Sequence, residues 1–275
     1  MPEFDRSDPV TIALYLPRGR ADIVAEERTT VVADVVPLDG SDGSRQAAAD
    51  TLITLDGDTL AIRAPETADR PWRRTPKLGV TVRVPAGSSL SAKTASADLH
   101  AAGRYATVHV NTASGDATVE EITGDGHLDA ASGDLAVGRA GGALRLTTAS
   151  GDVEVGDVTG DVSVKSASGD VSIRDTGGSV GVDTASGDIE IGVVRRGLVR
   201  LRSASGDVTV GVAAGTGVWL DVSTASGATR NGLAMGAGTP GATPATTGAT
   251  LELRIRTASG DIEIRRATPA QPTAA

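Results

Sequence analysis

Thr148-Ala149-Ser150-Gly151-Asp152-Val153-Glu154-Val155 is followed by Ser166-Ala167-Ser168-Gly169-Asp170-Val171-Ser172-Ile173 and then by Thr184-Ala185-Ser186-Gly187-Asp188-Ile189-Glu190-Ile191. The aspartate closing the five-residue unit falls at Asp98, Asp116, Asp134, Asp152, Asp170 and Asp188, each 18 residues after the last, and at Asp207 after 19. A degenerate copy, Thr224-Ala225-Ser226-Gly227-Ala228, comes next, and a final copy closes at Asp261. A fixed period of this length marks a stack of like structural units, none able to bury its apolar face alone.

Apolar residues hold the same register. One and three residues after the aspartate stand Val153 and Val155, Val171 and Ile173, Ile189 and Ile191. Eight and six residues before it stand Val108 and Val110, Leu144 and Leu146, Val162 and Val164, Val180 and Val182. Each pair alternates with polar residues, the pattern of a short strand with one face inward. The expected fold is all-β: a right-handed parallel β-solenoid with two short strands per coil of about 18 residues, the hand following the usual crossover. A hexapeptide helix would repeat every six residues, and a calcium roll needs a Gly-Gly-x-Gly-x-Asp nonapeptide, which the chain lacks.

The unit has a physical reading. Gly115, Gly133, Gly151, Gly169, Gly187, Gly206 and Gly260 can supply positive φ at a sharp corner, and the flanking Ser and Asp can bond local backbone. The alanine before them (Ala113, Ala149, Ala167) is small enough to face inward at a bend, and the Thr or Ser before that lies on the inward parity, where hydroxyls could form a ladder.

Outside the repeat, Val10–Leu16, Ala21–Glu27, Thr30–Val36, Thr51–Leu55, Thr59–Ala64 and Leu78–Val84 alternate as strands, with turns at Asp39-Gly40 and, as a tight hairpin, Asp56-Gly57. These residues, 1–88, are expected to form an N-terminal β cap segment on a solenoid at 89–266. Residues 65–77 read as a loop, 230–250 as a Gly/Ala/Thr/Pro-rich loop insertion, and 267–275 as a disordered tail. No amphipathic helix is expected, Leu233–Met235 being too short to count.

Aromatic residues make up 2% of the 275, so the core must be filled by aliphatic side chains, which suits thin regular layers. A net charge of −9 with no long basic tract disfavours nucleic acid and anionic membrane as partners. The pairs Arg73/Arg74, Arg195/Arg196 and Arg265/Arg266 read as solvated turn charges. There is no cysteine, hence no disulfide and no thiolate metal site. The opening Met1-Pro2-Glu3-Phe4-Asp5 has no basic segment followed by an apolar one, and no run of 18 apolar residues occurs. The expected location is cytoplasmic without membrane insertion, or the surface if the true start lies upstream.

The Thr-Ala-Ser-Gly-Asp-Val/Ile-x-Val repeats, led by a β segment ending Val82-Arg83-Val84-Pro85-Ala86-Gly87-Ser88, resemble the bacterial putative-adhesin family, a β-strand-repeat domain of unknown function. The resemblance covers about residues 10–266. It implies surface adhesion and carries no catalytic residues to transfer.

Stacking would bring the carboxylates of Asp98, Asp116, Asp134, Asp152, Asp170, Asp188 and Asp207 into a file about 4.8 Å apart, where neighbours repel by about 0.9 kcal/mol in water. Turn amides and solvent are the plain offset. The sharper reading is a cation ladder in which Ca²⁺ bridges carboxylate and Ser oxygens. His109 and His127 share a coil position and could stack outward, while His100 does not share it. No Ser sits in a Gly-x-Ser-x-Gly elbow, and no recurrent His accompanies the Ser-Gly-Asp corners, so a hydrolytic triad has no base. Asp152/Glu154, Asp188/Glu190 and Asp261/Glu263 should share an outward face, as in carbohydrate-active β-helix enzymes, but the larger coils and long loops that build a cleft there are absent except near 230–250.

The expectation is a non-enzymatic interaction or scaffold protein without cofactors. Its partner is another protein or a second copy, meeting at the coil around Leu251–Ile264. An adhesin-like surface or envelope module is the alternative, and a carbohydrate-active enzyme a more distant one.

Overall fold

The computed structural model describes residues 2–65, 75–233 and 250–267, which form 23 strands and one short helix. The chain divides into two compact units, Met1–Glu154 and Val155–Ala275.

In the first unit, β1 (Glu3–Asp5), β2 (Thr11–Glu26) and β3 (Thr30–Pro37) precede α1 (Asp42–Asp50). Then follow β4 (Leu52–Asp56), β5 (Thr59–Arg63), β6 (Leu78–Pro85) and β7 (Ser89–Tyr105). The repeats begin with β8 (Val108–Ser114) and β9 (Ala117–Ile122), continue with β10 (Gly126–Ser132) and β11 (Leu135–Ala140), and reach β12 (Leu144–Ser150) and β13 (Val153–Val158). Each repeat lies parallel on the one before, 18 residues displaced: Leu128 faces Val110 and Leu146, and Leu135 faces Ala117. This is a parallel β-solenoid, and the expected aliphatic pairs are its buried core. A further inward site lies six residues after the aspartate, at Ile122, Ala140, Val158, Thr176 and Val194, all buried.

The N-terminal region is woven into the stack. Val10–Leu16 and Ala21–Glu27 are one strand, β2, which runs parallel to β7 in register from Thr11↔Ser89 to Ala25↔Gly103. On its other edge β2 pairs with β5 and β6. Antiparallel strands then close that side, β3 on β6 and β4 on β5, so parallel stacking ends where the pairing reverses. The Asp56-Gly57 hairpin is present, with positive φ at Gly57.

Helix α1 departs from the expectation of none. Ser41 caps it by accepting the Ser44 N–H at 3.1 Å. Ala47, Ala48 and Ala49 favour the helix, and Ser44 and Ala47 are its buried residues. That face carries no large apolar side chain, so a search for a 3.6-residue hydrophobic stripe passes over it.

In the second unit the coils are β14 (Val162–Ser168) with β15 (Val171–Thr176), β16 (Val180–Ser186) with β17 (Ile189–Val194), and β18 (Gly197–Ser205) with β19 (Val208–Val212). After these come β20 (Gly217–Ser226) with β21 (Thr229–Asn231), and β22 (Thr250–Ser259) with β23 (Ile262–Arg266). The last two coils stack out of sequence order. β18 pairs with β22, and β22 pairs with β20. The final coil therefore lies between its two predecessors, with Leu251, Leu253, Ile255, Ile262 and Ile264 buried. The expectation that the coil around Leu251–Ile264 forms the open end is corrected. Among the described residues the open rung is β20, whose inward residues Val218, Leu220 and Val222 remain half-exposed.

Arg73 and Arg74, most of the loop at 65–77, the greater part of the insertion at 230–250, Met235 and the tail from 268 lie outside the described residues.

Candidate functional site

The Gly-Asp corner recurs in both units and has a steric reason. Gly115 apart, the corner glycines adopt positive φ. A Cβ on Gly151 would lie 2.2 Å from the carbonyl oxygen of Gly133, and one on Gly206 would lie 2.2 Å from that of Gly187. Only glycine meets both the dihedral and the contact with the rung beneath. The preceding alanines point outward: Ala113, Ala149 and Ala167 are exposed, which corrects the expectation that they face inward. Strand parity gives the inward place to Thr112, Thr148 and Thr184, which are buried. Their hydroxyls build no ladder between rungs. Thr148, Thr184, Ser203 and Thr257 each donate to the carbonyl two residues on, at 3.0–3.1 Å, closing the corner locally.

The aspartates form the expected file, and each carboxylate serves the next amide. In the first unit Asp98 Oδ1 accepts the Asp116 N–H at 3.3 Å, Asp116 that of Asp134 at 3.0 Å, and Asp134 that of Asp152 at 2.8 Å. In the second, Asp170 accepts from Asp188 and Asp188 from Asp207, both at 2.8 Å, Asp207 from Asp261 at 2.7 Å, and Asp261 from Ala228 at 2.8 Å. Backbone donors of this kind stabilise ionised carboxylates and offset their mutual repulsion. An arginine stands at the outer end of each run. Arg20 on β2 is the register partner of Asp98, and Arg230 reaches Asp261 at 3.1 Å. The amide of Ala228 first, then Arg230, holds the Asp261 carboxyl below the usual carboxylate range. At the opposite corner Asp125 accepts the Ala143 N–H and Asp161 that of Ser179, both at 2.8 Å.

Among the described residues no group of three or more His, Asp or Glu side chains converges to hold a metal ion. His109 and His127 stack as their shared coil position suggested, with ring centroids 5.2 Å apart and planes 4° from parallel. His127 Nε2 meets Asp129 Oδ2 at 2.7 Å. His100 borders a separate hollow of about 200 Å³ with Arg20, Asp98, Asp116 and Thr118.

The two-apart carboxylates do face outward. Asp188 is occupied by the Asp207 amide, while Glu190 pairs with Arg265 at 3.2 Å. The remaining arginine pairs are anchored and not merely solvated. Arg195 pairs with Asp175, Arg196 donates to the Gly177 carbonyl at 2.8 Å, and Arg266 donates to that of Ala213 at 3.0 Å.

Sequence reasoning missed a cluster of arginines on the outer face of the second unit. Arg200 and Arg202 on β18 lie beside Arg254 and Arg256 on β22, around a hollow of about 200 Å³. Beside them Trp219 is 51% exposed, with the Arg254 guanidinium 5.8 Å from its ring centroid. The matching Arg-Leu-Arg and Arg-Ile-Arg triplets were the available signal, but the degenerate coil lies between them in sequence.

A family model described as Toastrack DUF4097 matches residues 37–231. Among curated proteins none matches the chain. Solved structures to which the chain is similar include a putative adhesin from Bacteroides fragilis, 14% identical, with a TM-score of 0.49 over 96% of this chain and 95% of that one. Another is a putative adhesin from Parabacteroides distasonis, 13% identical, with a TM-score of 0.38 over 95% of each chain. A putative cell adhesion protein from Clostridium sporogenes is 12% identical, with a TM-score of 0.22 over 95% of this chain and 94% of that one. The expectation of a cytoplasmic location is withdrawn; the three proteins above are named for adhesion. No helix among the described residues is long and apolar enough to cross a membrane.

Proposed function

The chain belongs to the Toastrack DUF4097 family, and on that premise we propose that it is an adhesin-like binding module of the bacterial surface or envelope, meeting its partner through the flat outer faces of its rungs. It is a non-catalytic β-solenoid domain of the interaction kind. One observation carries the reading. Outward residues keep register from rung to rung, so that Ser91, His109, His127 and Arg145 make one file and Asp183, Arg202 and Arg256 another. Such files sit on hydrogen-bonded strands, and a surface ordered before binding avoids the entropy cost that a loop-built site must meet. Treating intact cells that make the full chain with an impermeant protease tests the location. Loss of the chain while a cytosolic marker survives is expected. Protection of both overturns the surface reading.

A second reading is supported by the open edge of β20. Backbone groups unpaired among the described residues and half-exposed Val218, Leu220 and Val222 offer a template for another strand, including one from a second copy. Concentration-dependent association by sedimentation, abolished by Leu220→Lys, is the expected result. A monomer at all concentrations would dispose of it.

A further inference from the structure

The four arginines of the second unit stand in a two-by-two array. Arg200 faces Arg254 across neighbouring strands, and Arg202 faces Arg256. Like charges placed directly opposite destabilise a sheet, and at about 4.8 Å they repel by about 0.9 kcal/mol in water. Neighbouring positions follow the opposite rule, with Lys165 facing Asp183 and Asp183 facing Arg202. Carboxylates only partly offset the array. Glu252 engages Arg254, whereas Asp183 and Asp221 reach Arg202 and Arg256 at 3.5 Å. Among the described residues Arg200 has no ion pair.

The surface between the arginines is hollow. The cavity of about 200 Å³ that they line with Leu201 adjoins a second of about 170 Å³, which shares Arg200 and is bordered by Ser163, Ser179 and Gly181. Gly181 stands in file between Ser163 and Arg200, and a Cβ there would meet nothing within 4 Å. The two hollows make an open track crossing the rungs, with the ring of Trp219 beside the arginine end.

We propose that this track binds an acidic polysaccharide, its carboxylate or sulfate groups held by Arg200, Arg202, Arg254 and Arg256 and a sugar ring stacked on Trp219. The inference rests on the reading of the chain as a binding module. A guanidinium fork matches a carboxylate or sulfate through paired hydrogen bonds. An open track running over several rungs suits a polymer, and an exposed flat ring suits the face of a pyranose. A protein partner would want a deep socket for an aromatic or aliphatic anchor, whereas these open hollows present Arg200, Arg202, Arg254, Arg256, Ser163 and Ser179 alongside the aliphatic Val162, Val180, Leu198 and Leu201. The one carboxylate in their lining, Asp161, already accepts the Ser179 N–H at 2.8 Å. Single-stranded nucleic acid would want several aromatic platforms, and among the described residues the track has one, Trp219.

The test is calorimetric titration of the full chain with polygalacturonate and with dextran sulfate. Neutral dextran, polyglutamate and single-stranded DNA serve as competitors for the assignment. Saturable binding of either acidic glycan is expected, the tighter of the two naming carboxylate or sulfate as the preferred group. Arg200→Gln/Arg202→Gln should weaken it by roughly tenfold or more, the scale of lost charge-assisted hydrogen bonds, without lowering the melting temperature, since the repulsion across the array is relieved. Arg254→Gln, on the neighbouring rung, should weaken it independently. Absence of binding to both acidic glycans, affinity undiminished in these variants, equal affinity for neutral dextran, or tighter binding of polyglutamate or DNA would each overturn the proposal. A chain that binds the glycan but is protected in cells refutes the surface location alone. One that is exposed but does not bind refutes the track alone.

Discussion

The backbone N–H of Asp261 donates to Oδ1 of Asp207 at 2.7 Å, across 54 residues of sequence. At the earlier corners of the file the partner lies 18 or 19 residues away, and at the last one, where Ala228 donates to Asp261, it lies 33 away. The exception records the insertion of the last coil between two earlier ones. It also explains the degenerate repeat. Among the described residues the rung at Gly217–Asn231 is outermost, with no further amide to cap, and Ala228 stands where the other repeats from Asp98 to Asp261 have aspartate.

Asp207→Ala removes the acceptor for the Asp261 amide. The bond lies at an exposed corner, so a loss of about 1 kcal/mol in urea unfolding is expected, with faster amide exchange in residues 250–266. Asp207→Asn, which keeps a carbonyl oxygen, should lose less. Equal losses in the two variants would argue against the hydrogen bond as the cause.

Gly206→Ala tests the corner. The new Cβ would meet the Gly187 carbonyl oxygen at 2.2 Å on a backbone with φ of +136°. A destabilisation of about 3 kcal/mol or more is expected from strain and contact together. Gly217→Ala, with nothing within 4 Å of its Cβ, serves as control. Similar midpoints for the two variants would refute the steric account.

Asp261 links the outer rung to pH. Its folded pKa is lowered by the Ala228 amide and by Arg230. The contribution is therefore present above the unfolded carboxylate value of about 4, and is lost as pH falls through the lower folded value. A carbon-detected titration of the Asp261 carboxyl should give a midpoint below that of an unfolded peptide. Arg230→Gln should raise it. A midpoint at or above the peptide value would count against the anchoring.

Tyr105 links the first unit to alkaline pH. Its ring is fully buried, and its hydroxyl donates to the Ile23 carbonyl at 2.9 Å. Burial raises its pKa well above the ordinary value, with Glu120 adding a smaller push. Above pH about 10 the unfolded chain releases this proton while the folded one keeps it, so rising pH favours unfolding. Tyr105→Phe should lower stability at neutral pH by about 1 kcal/mol through the lost bond, and flatten the alkaline decline seen by circular dichroism. An unaltered slope would exclude Tyr105 as its source.

The coil was legible because its geometry leaves few choices. A glycine must sit where Gly151 lies against the Gly133 carbonyl, and an aspartate where Asp134 caps the Asp152 amide, so the chain repeats both. The aliphatic pairs followed from the two-residue period. What escaped notice has physical reasons too. β2 lacks the Ser-Gly-Asp unit, and its kinship with the coils rests on Gly19, which takes positive φ opposite Ala97. Helix α1 buries Ser44 and Ala47, too small to write an apolar stripe. The swap of the last two coils breaks the habit by which sequence neighbours become spatial neighbours. That swap also kept Arg202 and Arg256 from being read as a pair. Ala228 was the one residue that announced the swap, and it reads as decay of the repeat until the capping role of the aspartate is known.

The inserted coil makes the molecule finish like an arch. Residues 217–231 leave the ribosome before residues 250–266, yet rest upon them. A nascent chain must therefore hold its outermost course in waiting until the keystone strand arrives. Release of a chain cut short before residue 250 would cost two courses of the masonry, although only one had been removed.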